Sequence, residues 1–188
     1  MNNQENQIRL RGSAVTNVGQ VRSHNEDNVH LWSDDNLVLA IVADGMGGAA
    51  AGEEASRIAV ETIATELGIS PTSHHDEPDF AENSLSSAVI EATRMIIQEA
   101  VDHPSNKGTG TTVTMVAING SEARFAHVGD SRAYLVTREG AISQITSDHS
   151  FVQALVEATH ITPEQAETHP MRNVLYRAHG QPKAHDED

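Results

Sequence analysis

Apolar positions change their spacing twice along the chain, dividing it into strands, then helices, then strands again. Near the N-terminus the apolar runs are short. Residues 14–18 read as a strand closed by a turn at Gly19, and residues 28–32 as a second strand. Residues 37–43 read as a buried third, with Asp34, Asp35 and Asn36 forming the hairpin turn before it. From Glu53 the spacing becomes helical. Ala55, Ile58, Ala59, Thr62, Ile63 and Leu67 recur near i, i+3, i+4 and i+7 until Gly68 stops the pattern. A second helix is expected over 81–101, with Leu85, Val89, Ala92, Ile96 and Ala100 along one face.

Beyond a linker at 102–107 the period becomes alternating. Residues 109–118, 122–128, 133–137 and 142–146 are β-branched runs, and Asn119-Gly120 and Glu139-Gly140 are hairpin turns between them. Residues 151–158 and 163–167 look helical, the latter with Thr162 as N-cap and Pro163 at the first helical position. Strands and helices come in blocks and not in βαβ alternation, so the pattern predicts an α+β fold built on antiparallel sheet.

Composition narrows the function classes. The 188 residues suit one domain, and 38% hydrophobic content with 3% aromatics implies a core of Ala, Val, Ile and Leu. Acidic residues outnumber basic ones 27 to 12, a net charge of −15, which disfavours nucleic acid and anionic membranes as partners. The chain has no cysteine, which excludes disulfides, thiolate metal sites and cysteine nucleophiles. Residues 1–12 are polar, without the apolar segment of a signal peptide, and no apolar run reaches the length of a membrane span. A cytoplasmic protein is expected.

The chemistry concentrates in residues 22–48. Glu26 and Asp27 follow Arg22 closely, and Asp44 stands between the apolar run 37–43 and Gly45-Met46-Gly47-Gly48. A strand ending in Asp-Gly delivers a carboxylate to the rim of a sheet, where oxygen ligands suit Mg²⁺ or Mn²⁺. Burial behind that strand would make a free carboxylate costly unless paired or metal-bound. Asp130 ends another strand and could serve the same site, or cap a turn, or pair with Arg132. Gly108-Thr109-Gly110-Thr111-Thr112 resembles a phosphate loop but lacks its lysine and leads into a strand. A bent strand entry beneath the site is the better reading. Of the eleven histidines, His74 and His75 lie in an acidic loop, and His127, His149 and His169 suit hydrogen-bonded structural roles.

The segments VRSHNED, VADGMGG, GEEAS, GTGTT, VGDSRAYL, TSDHS and ITPEQAETHPMRNVLYRAHG occur in the order found in bacterial PPM-type, metal-dependent serine/threonine protein phosphatases. The resemblance runs from about Ser13 to Gly180. It implies an antiparallel β-sandwich flanked by α-helices, and hydrolysis of phosphoserine and phosphothreonine by a metal-activated water. It implies two Mn²⁺ or Mg²⁺ ions bridged by Asp44, with the Gly45 carbonyl on one of them and Glu26 and Asp27 contacting their waters. Arg22 would hold the substrate phosphate, and Asp130 a third, more labile ion. Residues 148–170 would form a flap beside the site, with Thr168 as the nearest candidate to assist the third ion. Met46 stands where many eukaryotic members carry a proton-donating histidine, so a metal-bound water would take over that task. Phosphorylated proteins, and a cognate Ser/Thr kinase with its substrates, are the implied partners.

The resembling family continues past the segment matched by Arg177-Ala178-His179-Gly180 with two more strands, a helix and two further aspartates. Here the sequence ends in QPKAHDED. The expectation is therefore a flexible stretch at 1–12, an incomplete phosphatase domain at 13–180 and an acidic tail at 181–188. A catalytically impaired phosphatase-like module that binds or regulates signalling partners is the alternative.

Overall fold

Strand β1 (Asp27–Ser33) pairs antiparallel with β2 (Leu37–Met46), and the register sets Asp27 opposite Asp44. β2 continues the sheet through β4 (Val113–Asn119), which pairs with β5 (Glu122–Val128), so the order across the sheet is β1-β2-β4-β5. A two-residue strand, β3 (Gly110–Thr111), pairs with the far end of β2 at Gly45 and Met46. All these pairings are antiparallel. The computed structural model describes residues 9–34, 37–69, 78–176, 178 and 179. Asp35 and Asn36, the His74–Glu77 cluster, and the proposed 1–12 and 181–188 segments lie wholly or mostly outside that set.

Two helices cover one face of the sheet: α1 (Ala49–Glu66) and α2 (Glu82–Asp102). Their packing follows from side-chain period. Leu39, Ile41 and Ala43 alternate along β2 and point to the same side as Val113, Met115 and Ala117 of β4. They meet Ala55, Ala59 and Ile63 of α1 and Leu85, Ala88, Ala92 and Ile96 of α2. Alanine at so many contact positions brings the helix backbones close to the sheet and to each other. Trp32 and Phe80 close one end edge-to-face, with ring centroids 6.1 Å apart.

The remaining elements form a smaller unit. β6 (Tyr134–Val136) and β7 (Ile142–Gln144) make a separate hairpin, followed by α3 (Phe151–Glu157) and α4 (Pro163–Glu167). The α+β architecture with antiparallel strands is as expected. Its second sheet is this hairpin alone among the described residues. Its Tyr134, Leu135, Val136 and Ile142 are exposed, as are Val42 and Phe125 on the face of the main sheet away from the helices. The capping box at Thr162 is also present, with Gln165 reciprocating. No helix among the described residues is long and apolar enough to cross a membrane.

Three expectations are corrected. Residues 14–18 form no strand: they join no sheet among the described residues, Val15 is 86% exposed, and Asn17 instead accepts the Gly19 N–H in a local turn. The run 109–118 is two strands broken at Thr112, because its two ends pair with different stretches of β2. Helix α1 starts at Ala49 and not Glu53, carrying Gly52 inside its first turns.

The last described segment is pinned to the core. His179 and Thr111 exchange backbone hydrogen bonds of 2.9 and 3.1 Å, and the His179 Nδ1 meets the Thr93 hydroxyl of α2. Burial pushes this imidazole down to about 4. The unfolded chain takes up that proton near 6.5 while the folded chain resists it, so the unfolded state binds more protons in between. Stability is thus expected to fall with pH from about 6.5 toward 4, by on the order of 1 kcal/mol per pH unit from this group. Urea unfolding of the chain and its His179→Leu variant across that range checks it: the variant's stability should decline less steeply, and parallel slopes would contradict the assignment.

Candidate metal centre

The site is built where β1 begins and β2 ends. The hairpin register brings Asp27 directly across from Asp44, and their carboxyl groups are close enough to hydrogen-bond. The Gly45 N–H donates to the Glu26 carbonyl at 3.1 Å, which extends the pairing one residue past β1. The Ser56 hydroxyl of α1 donates to that same carbonyl at 2.6 Å, and Asn28 Nδ2 donates to Ser56 Oγ at 2.9 Å. The start of β1 is thereby bolted to α1.

Glycine is required at two of these positions by space. A Cβ on Gly45 would fall on the Gly52 carbonyl, and a Cβ on Gly52 would collide with the Glu26 Oε2. The carboxylate of Glu26 therefore lies over the first turns of α1. That close approach is why α1 tolerates a glycine in its interior.

The backbone of Asp44 is held on both sides. Its N–H donates to Thr112 Oγ1 at 3.0 Å, and its carbonyl accepts from Thr112 N at 2.9 Å and Thr111 Oγ1 at 3.0 Å. The bent entry expected for the Gly108–Thr112 segment is this clamp. Asp130 follows Gly129, which has φ of 112° and exchanges contacts with His149: Gly129 N–H to Nδ1 at 3.2 Å, and His149 N–H to the Gly129 carbonyl at 2.7 Å. Arg132 turns away from Asp130 and grips Asp148, with Nη2 to Oδ2 at 2.6 Å and Nε to Oδ1 at 2.9 Å. The pairing of Asp130 with Arg132 that the sequence allowed is thus not made.

These groups act on one another electrostatically. The Asp44 carboxyl is pushed up to about 6, first by burial of its oxygens among neighbouring atoms, then by the charge and hydrogen bond of Asp27 and by Asp130. Arg22 offsets part of this. Three carboxylates from β1, β2 and the end of β5, together with Arg22, therefore share one rim.

Asp44 itself departs from expectation. Its neighbours Ala43 and Gly45 are buried, but Asp44, like Arg22, Asp27 and Asp130, is an exposed residue, and its carboxyl is only partly shielded from water. Strand alternation turns it off the core face and onto the rim. Among the described residues, no three His, Cys, Asp or Glu side chains converge closely enough to hold one ion. The carboxylates are instead spread, with Asp44 in contact with Asp27 and in electrostatic reach of Asp130.

A cleft of about 520 Å³ opens beside Asp130, walled by Arg132, Asp148, Val152, Arg172 and Asn173 among others. Thr168 does not line it; it caps the C-terminus of α4, its hydroxyl 3.5 Å from the Gln165 carbonyl. The histidines have the structural roles expected. His127 bridges the Thr114 hydroxyl and the Ser147 carbonyl, and His169 Nδ1 accepts the Met171 N–H at 3.1 Å. The contributors that sequence reasoning missed are the hydroxyls of Thr111, Thr112 and Ser131 and the carboxylate of Asp148. A pair of threonines beside a strand break was the one available signal.

In sequence and in overall fold the chain is similar to known bacterial phosphatases. The chain is 38% identical over 172 residues to the serine/threonine protein phosphatase PstP of Mycobacterium tuberculosis, covering 90% of this chain and 31% of that one. It spans about a third of that relative's length. The crystal structure of the serine/threonine phosphatase Stp1 from Staphylococcus aureus superposes with a TM-score of 0.78 at 36% identity, covering 90% of this chain and 65% of that one. The catalytic domain of a PstP solved in complex with two manganese ions superposes at 0.69 and 37% identity, covering 86% and 63%. The model of the protein phosphatase 2C family matches residues 16–181, nearly the whole sequence, and the chain belongs to that family.

Proposed function

We propose that this chain carries the metal centre of a protein serine/threonine phosphatase, with phosphoserine and phosphothreonine proteins as substrates. The observation that carries the reading is the strand register that sets Asp27 directly across from Asp44 on an open rim, with Asp130 in electrostatic reach of Asp44. Like charges gathered in this way repel unless a cation or proton lies between them. The donors present, three carboxylates and the Gly45 carbonyl, are all oxygens and suit Mn²⁺ or Mg²⁺. The donor types suit such ions, although the described side chains are spread along the rim and do not converge on one point, and the manganese-bound relative supports that choice.

Each residue then has a task of its own. Asp44, Asp27, Asp130 and the Gly45 carbonyl would hold the ions. Ions bound there would polarise phosphoryl oxygens and make water nucleophilic near neutral pH. Arg22, exposed on the segment before β1, offers a planar fork to two phosphate oxygens. Glu26, seated over Gly52, is placed to orient water or accept a proton at the rim. Met46 can do neither. A cognate Ser/Thr kinase and a cytoplasmic setting belong to the same proposal, the latter supported by the absence of cysteine. The presence together of Arg22, Glu26, Asp27, Asp44 and Asp130 supports an enzyme over a catalytically impaired module.

Release of phosphate from a phosphothreonine peptide tests this directly. Turnover is expected with Mn²⁺ and should vanish with EDTA; metal-independent turnover would refute the proposal. Asp44→Asn should lower kcat at least a hundredfold, on the order of 3 kcal/mol of barrier. Arg22→Ala should raise KM for the phosphopeptide about tenfold, with a smaller effect on Mn²⁺ affinity. An Arg22 variant with unaltered KM and kcat would remove that residue from the site.

A further inference from the structure

Asp44 and Asp130 belong to strands that do not touch. Asp44 lies in β2 and Asp130 follows β5, and β4 runs between them. Hairpin register therefore cannot set their separation as it sets that of Asp27 and Asp44. Something at the near end of β4 has to do so.

We infer that Thr112, the residue at the break between β3 and β4, is the positioning residue that holds Asp44 and Asp130 in a fixed relation. The inference rests on the metal-centre reading above. Thr112 is fully buried. Its Oγ1 accepts the Asp44 N–H at 3.0 Å and lies 2.7 Å from the Ser131 hydroxyl, next in sequence to Asp130. Its own N–H donates to the Asp44 carbonyl at 2.9 Å. One side chain thus contacts the backbone of one carboxylate and the loop of the other.

Packing adds a second contact to the same loop. A Cβ on Gly129 would lie 2.5 Å from Thr112 Cγ2 and 2.6 Å from its Cβ, so the Gly129-Asp130 turn rests on the threonine itself. Thr114, two residues on, also holds the same loop, its hydroxyl donating to the Ser131 carbonyl at 2.8 Å. Thr111 differs. Its hydroxyl reaches the Asp44 and Thr112 carbonyls and makes no bond to the Asp130 loop among the described residues. Of the two adjacent threonines, Thr112 makes the link.

The chemistry needs such a link because a hard cation shared by two carboxylates binds tightly only when both are held in place beforehand. Thr114 and His149 also hold the Asp130 loop, but of the three only Thr112 bonds the Asp44 backbone as well.

Thr112→Val keeps the shape and removes the hydroxyl; Thr112→Ser keeps the hydroxyl; Ser131→Ala removes the link from the partly exposed side. Each is to be studied in the full chain by amide NMR without metal and by Mn²⁺ titration calorimetry. Thr112→Val is expected to speed hydrogen exchange at the Asp44 amide, shift the Asp130 and Ser131 amide resonances, and weaken Mn²⁺ binding about tenfold. Thr112→Ser should stay near the parent chain in all three. Ser131→Ala should shift the Asp130 amide and weaken Mn²⁺ binding with little change at the Asp44 amide, and it decides the matter if the valine variant fails to fold. Folded Thr112→Val with unchanged Asp44 exchange and unchanged Mn²⁺ affinity would overturn the inference, as would Ser131→Ala indistinguishable from the parent. Should the parent chain bind no Mn²⁺, the metal-centre reading fails, and the metal-free amide shifts alone decide whether Thr112 couples the two loops.

Discussion

Two aspartates facing each other across an antiparallel hairpin are the constraint on which the rest depends. Pairing of β1 with β2 places Asp27 opposite Asp44, and no rearrangement short of a register shift separates them. A one-residue slip would also turn Leu39, Ile41 and Ala43 out of the core, where they are almost wholly buried. The apolar face of β2 thus holds its acidic end in place. Stability and site geometry are enforced by the same alternation.

The helices serve this arrangement. α1 presses Gly52 against Gly45 and Glu26, and Ser56 ties the start of β1 to the helix through the Glu26 carbonyl. Without the alanine-rich contact face of α1 and α2 the rim would not be backed by packed structure. On the opposite side of the sheet, Val42 and Phe125 remain open, and so does the apolar β6–β7 hairpin. The two halves of the molecule therefore differ in how firmly they are built: the rim carrying Asp27 and Asp44 lies over the packed half.

Asp130 reaches the rim by another route. It lies beyond β5, its turn requires a glycine at positive φ, and the ion pair Arg132–Asp148 draws the neighbouring arginine away. Asp148 is nearly buried, so its carboxylate needs the guanidinium, and the pair is satisfied within the smaller unit. That leaves the Asp130 carboxylate free of Arg132 and within electrostatic reach of Asp44. A charge pattern read along the chain could not distinguish Arg132 bonded to Asp130 from Arg132 bonded to Asp148, because the two choices differ only in how the chain folds back.

Local pattern was enough for much of the fold. Alternation in 37–43, the helical stripe through Ala59 and Ile63, the turns at Asn119-Gly120 and Glu139-Gly140, and the Thr162 cap all follow from short-range rules that operate within a few residues. The acidic pair before β1 and the Asp-Gly at the end of β2 were legible for the same reason, since a strand's end determines where its last side chain lies. Tertiary structure alone decided three matters. It left residues 14–18 outside every sheet among the described residues, since strand propensity forms no strand until another edge supplies hydrogen bonds. It broke 109–118 at Thr112, since the two ends pair with different parts of β2. It also made Thr112 and Ser131 part of the site, because contacts across sixty-eight and nineteen residues arise from strand order, which no local period encodes.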